Sequence, residues 1–245
     1  MKKRVIVLGI AAGLVCIAAM DRAMALWRHD VPIGAPLDLS AISKLRVDGA
    51  ASLISVTTDP NTPLTATLTG ERDGWGSLWQ SGWHARDCSD SGRMHIDNDT
   101  LVVDVADMSR YFDWSDCTIK LNANLRPQSA VLIRQKAARI GLDGDFSTVN
   151  VRADAGDFTL DGHASTLDVS GAALRVQAFF KTISKDETIL LSGRMMDATL
   201  RFLTPTSISY LVEATASYID SALPNTPGAH PAITIRGEMV RARIE

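Results

Sequence analysis

The sequence predicts an all-β chain wound as a parallel β-helix, a solenoid of about 18 residues per coil with two short strands in each. Three observations carry that expectation. First, apolar residues recur at an 18-residue step between Val131 and Ala178. The series are Val131/Val149/Leu167, Ile133/Val151/Val169, Ile140/Phe158/Val176 and Leu142/Leu160/Ala178. Each series has a companion two residues away, which is the alternation of a strand with one face inside. Second, Asp143-Gly144 and Asp161-Gly162 repeat as turns on the same step. Third, short runs rich in Val, Ile and Thr are bounded by Gly, Asp, Ser and Asn throughout, a composition that favours strands.

In a parallel helix each coil sits about 4.8 Å above the last, so like residues stack on like. The alternative is an antiparallel β-sandwich of hairpins. Its strand step of 9 residues also fits the spacing. It does not require Asp-Gly to recur at 18 and skip 9, and the skipped corner reads Ala153-Asp154-Ala155-Gly156.

Residues 1–25 read as a signal peptide. Lys2, Lys3 and Arg4 form a positive start, Val5 to Met20 an uncharged apolar run, and Ala23-Met24-Ala25 a cleavage site before Leu26. The run is short for a span of roughly 20 residues, so a membrane enters only if this segment stays uncleaved as an anchor. Cleavage removes Lys2, Lys3, Arg4, Arg22 and Asp21, which takes the net charge from −3 to −6. The product expected is one domain, 26–245, placed in the periplasm, on the cell surface or outside a Gram-negative-type envelope.

Within that domain Leu26 to Pro36 reads as an extended leader. Strand-like runs follow at Leu45–Val47, Leu53–Val56 and Leu64–Leu68, with turns at Asp48-Gly49 and Asp59-Pro60-Asn61. Residues 71–117 form an insertion containing Trp75, Trp79, Trp83, Tyr111, Phe112 and Trp114, and within it Met94–Ile96 and Leu101–Val105 resume the strand pattern around Asn98-Asp99. Ile119-Lys-Leu121 leads into the regular coils. After Phe180 the period slips through a longer connection, Lys181 to Glu187. Strands are expected at Ile189–Leu191 and Ala198–Phe202, a strand rather than a helix over 207–223, a loop at Pro224 to Gly228, and two closing strands at Ile233–Ile235 and Val240–Ile244.

The mature chain keeps two cysteines, Cys88 and Cys117. In an oxidising compartment they most simply form one disulfide. Closing a loop of about 30 residues would contribute roughly 3–4 kcal/mol by the chain-entropy model. A redox pair would sit as Cys-x-x-Cys, which is absent, and His84, Asp87, Asp90 and His95 near Cys88 match no zinc spacing.

A resemblance covers most of residues 40–244. Leu45-Arg-Val-Asp-Gly-Ala-Ala-Ser-Leu-Ile-Ser-Val56, Asp99–Val105, Asp154–Gly162, Leu167–Val176 and the closing Gly228–Gly237 resemble the auto-transporter adhesin head family, often called the GIN domain. That is a bacterial exported domain of unknown function. The resemblance implies a right-handed solenoid. The family's usual Ser-Gly-x-Gly turns are mostly replaced here, and the Trp-rich insertion is extra.

For function, the sequence excludes more than it names. A net charge of −3 without a basic stripe argues against nucleic acid. There is no Gly-x-Ser-x-Gly elbow, P-loop, dinucleotide fingerprint or His-Glu-x-x-His. No cofactor or metal is expected, and the chain is read as a non-enzyme. Asp143 and Asp161, stacked one coil apart, have the chemistry for a cation or a retaining glycosidase, but Asp before Gly is an ordinary turn residue. Asp145, Asp154, Asp157 and His163 read as solvated turn residues. A polysaccharide-cleaving enzyme would need a basic cleft, for which Arg134, Lys136, Arg139 and Lys120 are the candidates, though they read first as a solvated face. The best candidate ligand site is Trp75, Trp79, Trp83, Tyr111 and Trp114, since aromatic faces stack on sugar rings. The same rings could instead close the end of the fold. The expectation is therefore an exported scaffold or adhesion module. Its partner is unknown, with a cell-surface glycan or an envelope protein as the classes considered, and a carbohydrate-binding module is the alternative.

Overall fold

The computed structural model describes residues 31–72, 88, 91–106, 117–184 and 186–245. Residues 1–25, and Trp75, Trp79, Trp83, Tyr111 and Trp114, lie outside them. The described residues form eleven strands: β1 (Val31–Pro32), β2 (Leu37–Asp38), β3 (Lys44–Thr57), β4 (Thr65–Arg72), β5 (Gly92–Asp97), β6 (Thr100–Val105), β7 (Cys117–Asn124), β8 (Ser129–Phe180), β9 (Thr188–Phe202), β10 (Ser209–Ser221) and β11 (Ala232–Ile244).

These strands join one open, mixed sheet. This corrects the expected parallel β-helix of uniform coils. β1, β2 and β7 pair antiparallel with β4, and β5 pairs antiparallel with β6. β3, β8, β9, β11 and β10 pair in parallel. The steps between partners are unequal: Lys44 faces Ala130, Thr166 faces Thr188, and Thr188 faces Ala232. Chain order is also broken, because β11 lies between β9 and β10. In mixing the two pairing senses the sheet lies nearer the sandwich-like alternative than a parallel helix. The physical reasons are local. Asn98-Asp99, with Asn98 at φ 53°, is a two-residue loop that lets β6 return at once beside β5. The Lys181–Glu187 connection ends the 18-residue step.

The apolar series do mark the core. All twelve residues, from Val131 to Ala178, are buried. Register extends their rows into other strands. Leu45 faces Val131, and Val47 faces Ile133. On the other side, Val169, Leu191, Ile235 and Val212 make one row. A straight strand of the 52 residues of β8 would run roughly 170 Å, so β8 bends. Gly144 (φ 122°) and Gly162 (φ 146°) are two of the corners, which is what the repeated Asp-Gly requires. A Cβ on Gly162 would lie 2.1 Å from the Gly144 carbonyl oxygen.

Candidate functional site

Cys88 and Cys117 are joined by a disulfide. Cys117 opens β7 opposite β4, and Cys88 is buried against that pair. Gly70 of β4 makes the approach possible, since a Cβ there would stand 2.4 Å from the Cys88 Cβ. An oxidising, extracytoplasmic compartment is the setting this bond fits.

The stacked carboxylates hold a lysine. Lys181 Nζ lies 3.0 Å from Asp161 Oδ1 and 3.5 Å from Asp143 Oδ1. The hydrogen bond to Asp161 raises the Lys181 pKa, with Asp143 adding to it. The ammonium occupies the space where a metal or a glycosidic oxygen would have to sit. Asp157 likewise faces Arg139, at 3.9 Å. Among the described residues no group of three or more His, Cys, Asp or Glu is placed to hold a metal.

His163 is not a solvated turn residue. Its ring is buried, and Nδ1 lies 2.6 Å from Oε1 of Glu187, which is fully buried. That contact is close but not aligned as a hydrogen bond, and His163 Nδ1 lacks a hydrogen-bond partner, as does the other carboxylate oxygen, Glu187 Oε2. On the other side, His163 Nε2 lies 3.3 Å from Ser184 Oγ and 3.4 Å from Ser165 Oγ. Ser184 also donates its backbone N–H to Glu187 Oε1 at 2.6 Å. Burial pushes the Glu187 carboxyl above its ordinary pKa, and the Ser184 N–H and His163 oppose that shift. The cluster ties the 181–187 connection to β8. Sequence spacing alone could not show it, because Glu187 reads as part of a surface loop.

A groove of about 930 Å³ crosses β8, β9, β11 and β10. Register builds it row by row. Ala173, Met195, Met239 and Ala216 form one flank. Leu174, Met196, Val240 and Ser217 form the floor, where Leu174, Met196 and Val240 are buried. Arg175, Asp197, Arg241 and Tyr218 form the other flank and alternate in charge before the ring. Met195, Met239 and Tyr218 are 50%, 54% and 64% exposed, which sets them apart from core residues. Sequence reasoning passed over all three. Met195 and Met239 become neighbours only because β11 inserts beside β9.

No protein-family model matches the chain, and no curated protein matches it. Among solved structures it is similar to a candidate cell adhesion protein from Clostridium sporogenes, at TM-score 0.44 and 9% identity over 89% of this chain and 96% of that one. A candidate adhesin from Bacteroides fragilis stands at TM-score 0.44 and 10% identity, covering 88% and 96%. One from Parabacteroides distasonis stands at TM-score 0.35 and 8% identity, covering 89% and 97%. Similarity at this level does not fix a function, and the GIN-domain reading rests on the quoted motifs alone.

Proposed function

We propose that this chain is an exported interaction module that acts by binding, and that the groove between Met195, Met239 and Tyr218 is its contact surface. The observation that carries the reading is three large apolar side chains left in solvent along one groove beside charges of alternating sign. Met side chains are adaptable and polarisable, so they fit apolar groups of varied shape. Exposed apolar surface rimmed by charge is what interaction sites present. A protein partner offering an apolar side chain between charged ones matches this surface. Export after loss of residues 1–25 belongs to the same proposal and is supported by the disulfide.

Photocrosslinking in cells tests it. A benzophenone amino acid at position 218 should give a discrete protein adduct, and one at Arg93 should not. The adduct should vanish in Met195→Asp/Met239→Asp. Equal labelling from both positions, or none from 218, would refute the assignment.

A further inference from the structure

The sheet ends differently at its two edges. At one, β4 is covered by β1 and β2, strands of 2 residues each, and β1 contains Pro32, which has no N–H to offer. Short strands and proline keep a sheet edge from pairing with another chain. At the other edge stands β10, 13 residues long. It contains no Lys, Arg or Pro, and among the described residues it pairs with no strand but β11.

β10 consists of two arms. Ser209–Ala214 and Ala216–Ser221 are in register with β11, and Thr215 between them has no register partner. The inward-facing side switches there. Tyr210 and Val212 continue the rows of Ile233 and Ile235, while Ser217 and Ile219 continue those of Val240 and Ala242. The four β11 residues are buried, yet Tyr210, Val212 and Ile219 are half-buried and Ser217 is exposed. The core is therefore open at this end.

The backbone alternates in step with the side chains. Ser209 donates its N–H to the Pro231 carbonyl, and Ala222 donates to that of Ile244. Ser209, Leu211 and Glu213 in one arm, and Ala216, Tyr218 and Asp220 in the other, thus turn their polar groups toward β11. Tyr210, Val212, Ala214, Ser217 and Ile219 turn theirs outward. Asn225 closes the first of these positions: its side chain accepts from the Tyr210 N–H at 3.0 Å and donates to the Tyr210 carbonyl at 2.9 Å. From Val212 to Ile219 the outward groups have no partner among the described residues.

We infer that β10 pairs antiparallel with β10 of a second copy of this chain, about a two-fold axis at the Thr215–Ala216 corner. Val212 then faces Ile219 of the second copy, and Ala214 faces its Ser217. Several matches select a copy of the same chain. The arms are equal in length, so the two-fold exchanges them and lays one corner on the other. The facing residues all turn N–H and C=O outward, as the pairs that exchange two hydrogen bonds in an antiparallel ladder must. They are also the inward-facing residues, so Val212 and Ile219 close the open end of the core. Charge agrees as well. Glu213 and Asp220 are held by Arg236 and Arg243, at 2.7 and 3.5 Å, and this register sets them against Tyr218 and Leu211 rather than against each other. Ser209–Ala229 supplies about as many residues as one side of a stable interface uses, roughly 20–30. A two-fold contact of this kind closes on itself and stops further growth from the edge.

Sedimentation equilibrium of the purified protein, with the Cys88–Cys117 bond intact, tests it. The mass should be that of two chains. Ser217→Lys places an ammonium group against Ala214 of the second copy and should raise the dissociation constant roughly tenfold or more. Ser217 is exposed in the single chain, so the variant's circular dichroism should match the parent's. Val212→Cys/Ile219→Cys should give a disulfide-linked pair of chains on mild oxidation, because such facing Cα atoms lie about 5.5 Å apart. Leu211→Cys/Ile219→Cys, with side chains on opposite faces, should not. This contact does not rest on the Met195–Tyr218 groove: Met195→Asp/Met239→Asp should abolish the adduct to a foreign protein and leave the two-chain mass unchanged. A single-chain mass up to about 100 µM, a mass that Ser217→Lys leaves unaltered, open-ended larger assemblies, or equal linkage of both cysteine pairs would overturn the inference.

Discussion

β8 and the β9–β11–β10 group are built by opposite means. In β8 the chain returns beside itself at a constant step, so the same residue types recur and their rows can be read by eye. Past Phe180 the steps differ, and β11 enters between strands that precede it. Both regions bury inner rows, as Leu167 and Val169 in β8 and Ile233 and Ile235 in β11 show, while β10 at the sheet edge leaves its row half-buried. They differ outside. The regular half carries ordinary polar residues and charges, while the irregular half leaves Met195, Met239 and Tyr218 in solvent. A buried inner row thus forms with or without a constant step, while the Met195–Tyr218 surface arises only where the step is broken.

That contrast is open to test, and the largest effect belongs to the regular core. Phe158 is buried in one of the recurring rows. Phe158→Ala should lower unfolding free energy by roughly 4 kcal/mol, measured by urea titration. A cost under roughly 1 kcal/mol would mean that the row is not the packed interior.

At the junction of the halves, His163→Ala removes the ring packed against the buried Glu187 carboxyl, leaving it only the Ser184 N–H, and should cost about 3 kcal/mol. The same site predicts a pH dependence. The folded state raises the Glu187 pKa, so it binds the proton more tightly than the unfolded chain does. That contribution is fully present below the ordinary carboxylate pKa and is lost as pH rises through the raised one. Glu187→Gln should flatten this part of a Tm-against-pH curve. A slope unchanged in the variant would remove Glu187 from the account.

The next effect is at a corner of β8. Gly162→Ala forces a side chain into a positive-φ turn and against the Gly144 carbonyl, and should cost roughly 2 kcal/mol by thermal or chemical melting. The smallest is on the irregular surface. Met195→Ser/Met239→Ser should change stability by no more than about 0.5 kcal/mol. A much larger loss would make these residues structural and undo their assignment as a contact surface.

Much of the fold was legible where the signal was local. The four apolar series, the Asp-Gly corners at 143–144 and 161–162, the hairpin around Asn98-Asp99 and the extended 207–223 segment all follow from spacing and turn chemistry. The pairing sense and strand order were not. The 18-residue step holds for one stretch of chain, and extending it to all coils ignored the antiparallel return of β4 on β7. His163 was misread for a related reason. A histidine beside Asp-Gly looks like a turn residue until Glu187 arrives from a connection with no periodicity.

Strand order is the most direct test, because the Met195–Tyr218 groove exists only if β11 separates β9 from β10. Cysteines placed at 195 and 239, with the Cys88–Cys117 bond kept, stand at directly paired positions of β9 and β11. Neighbouring strands lie about 4.8 Å apart, and disulfides form across Cα separations of about 4.4–6.8 Å. Mild oxidation should therefore join Met195→Cys to Met239→Cys and leave Met195→Cys with Ala216→Cys unjoined. Crosslinking of 195 to 216, with none between 195 and 239, would place β10 beside β9 and contradict the account.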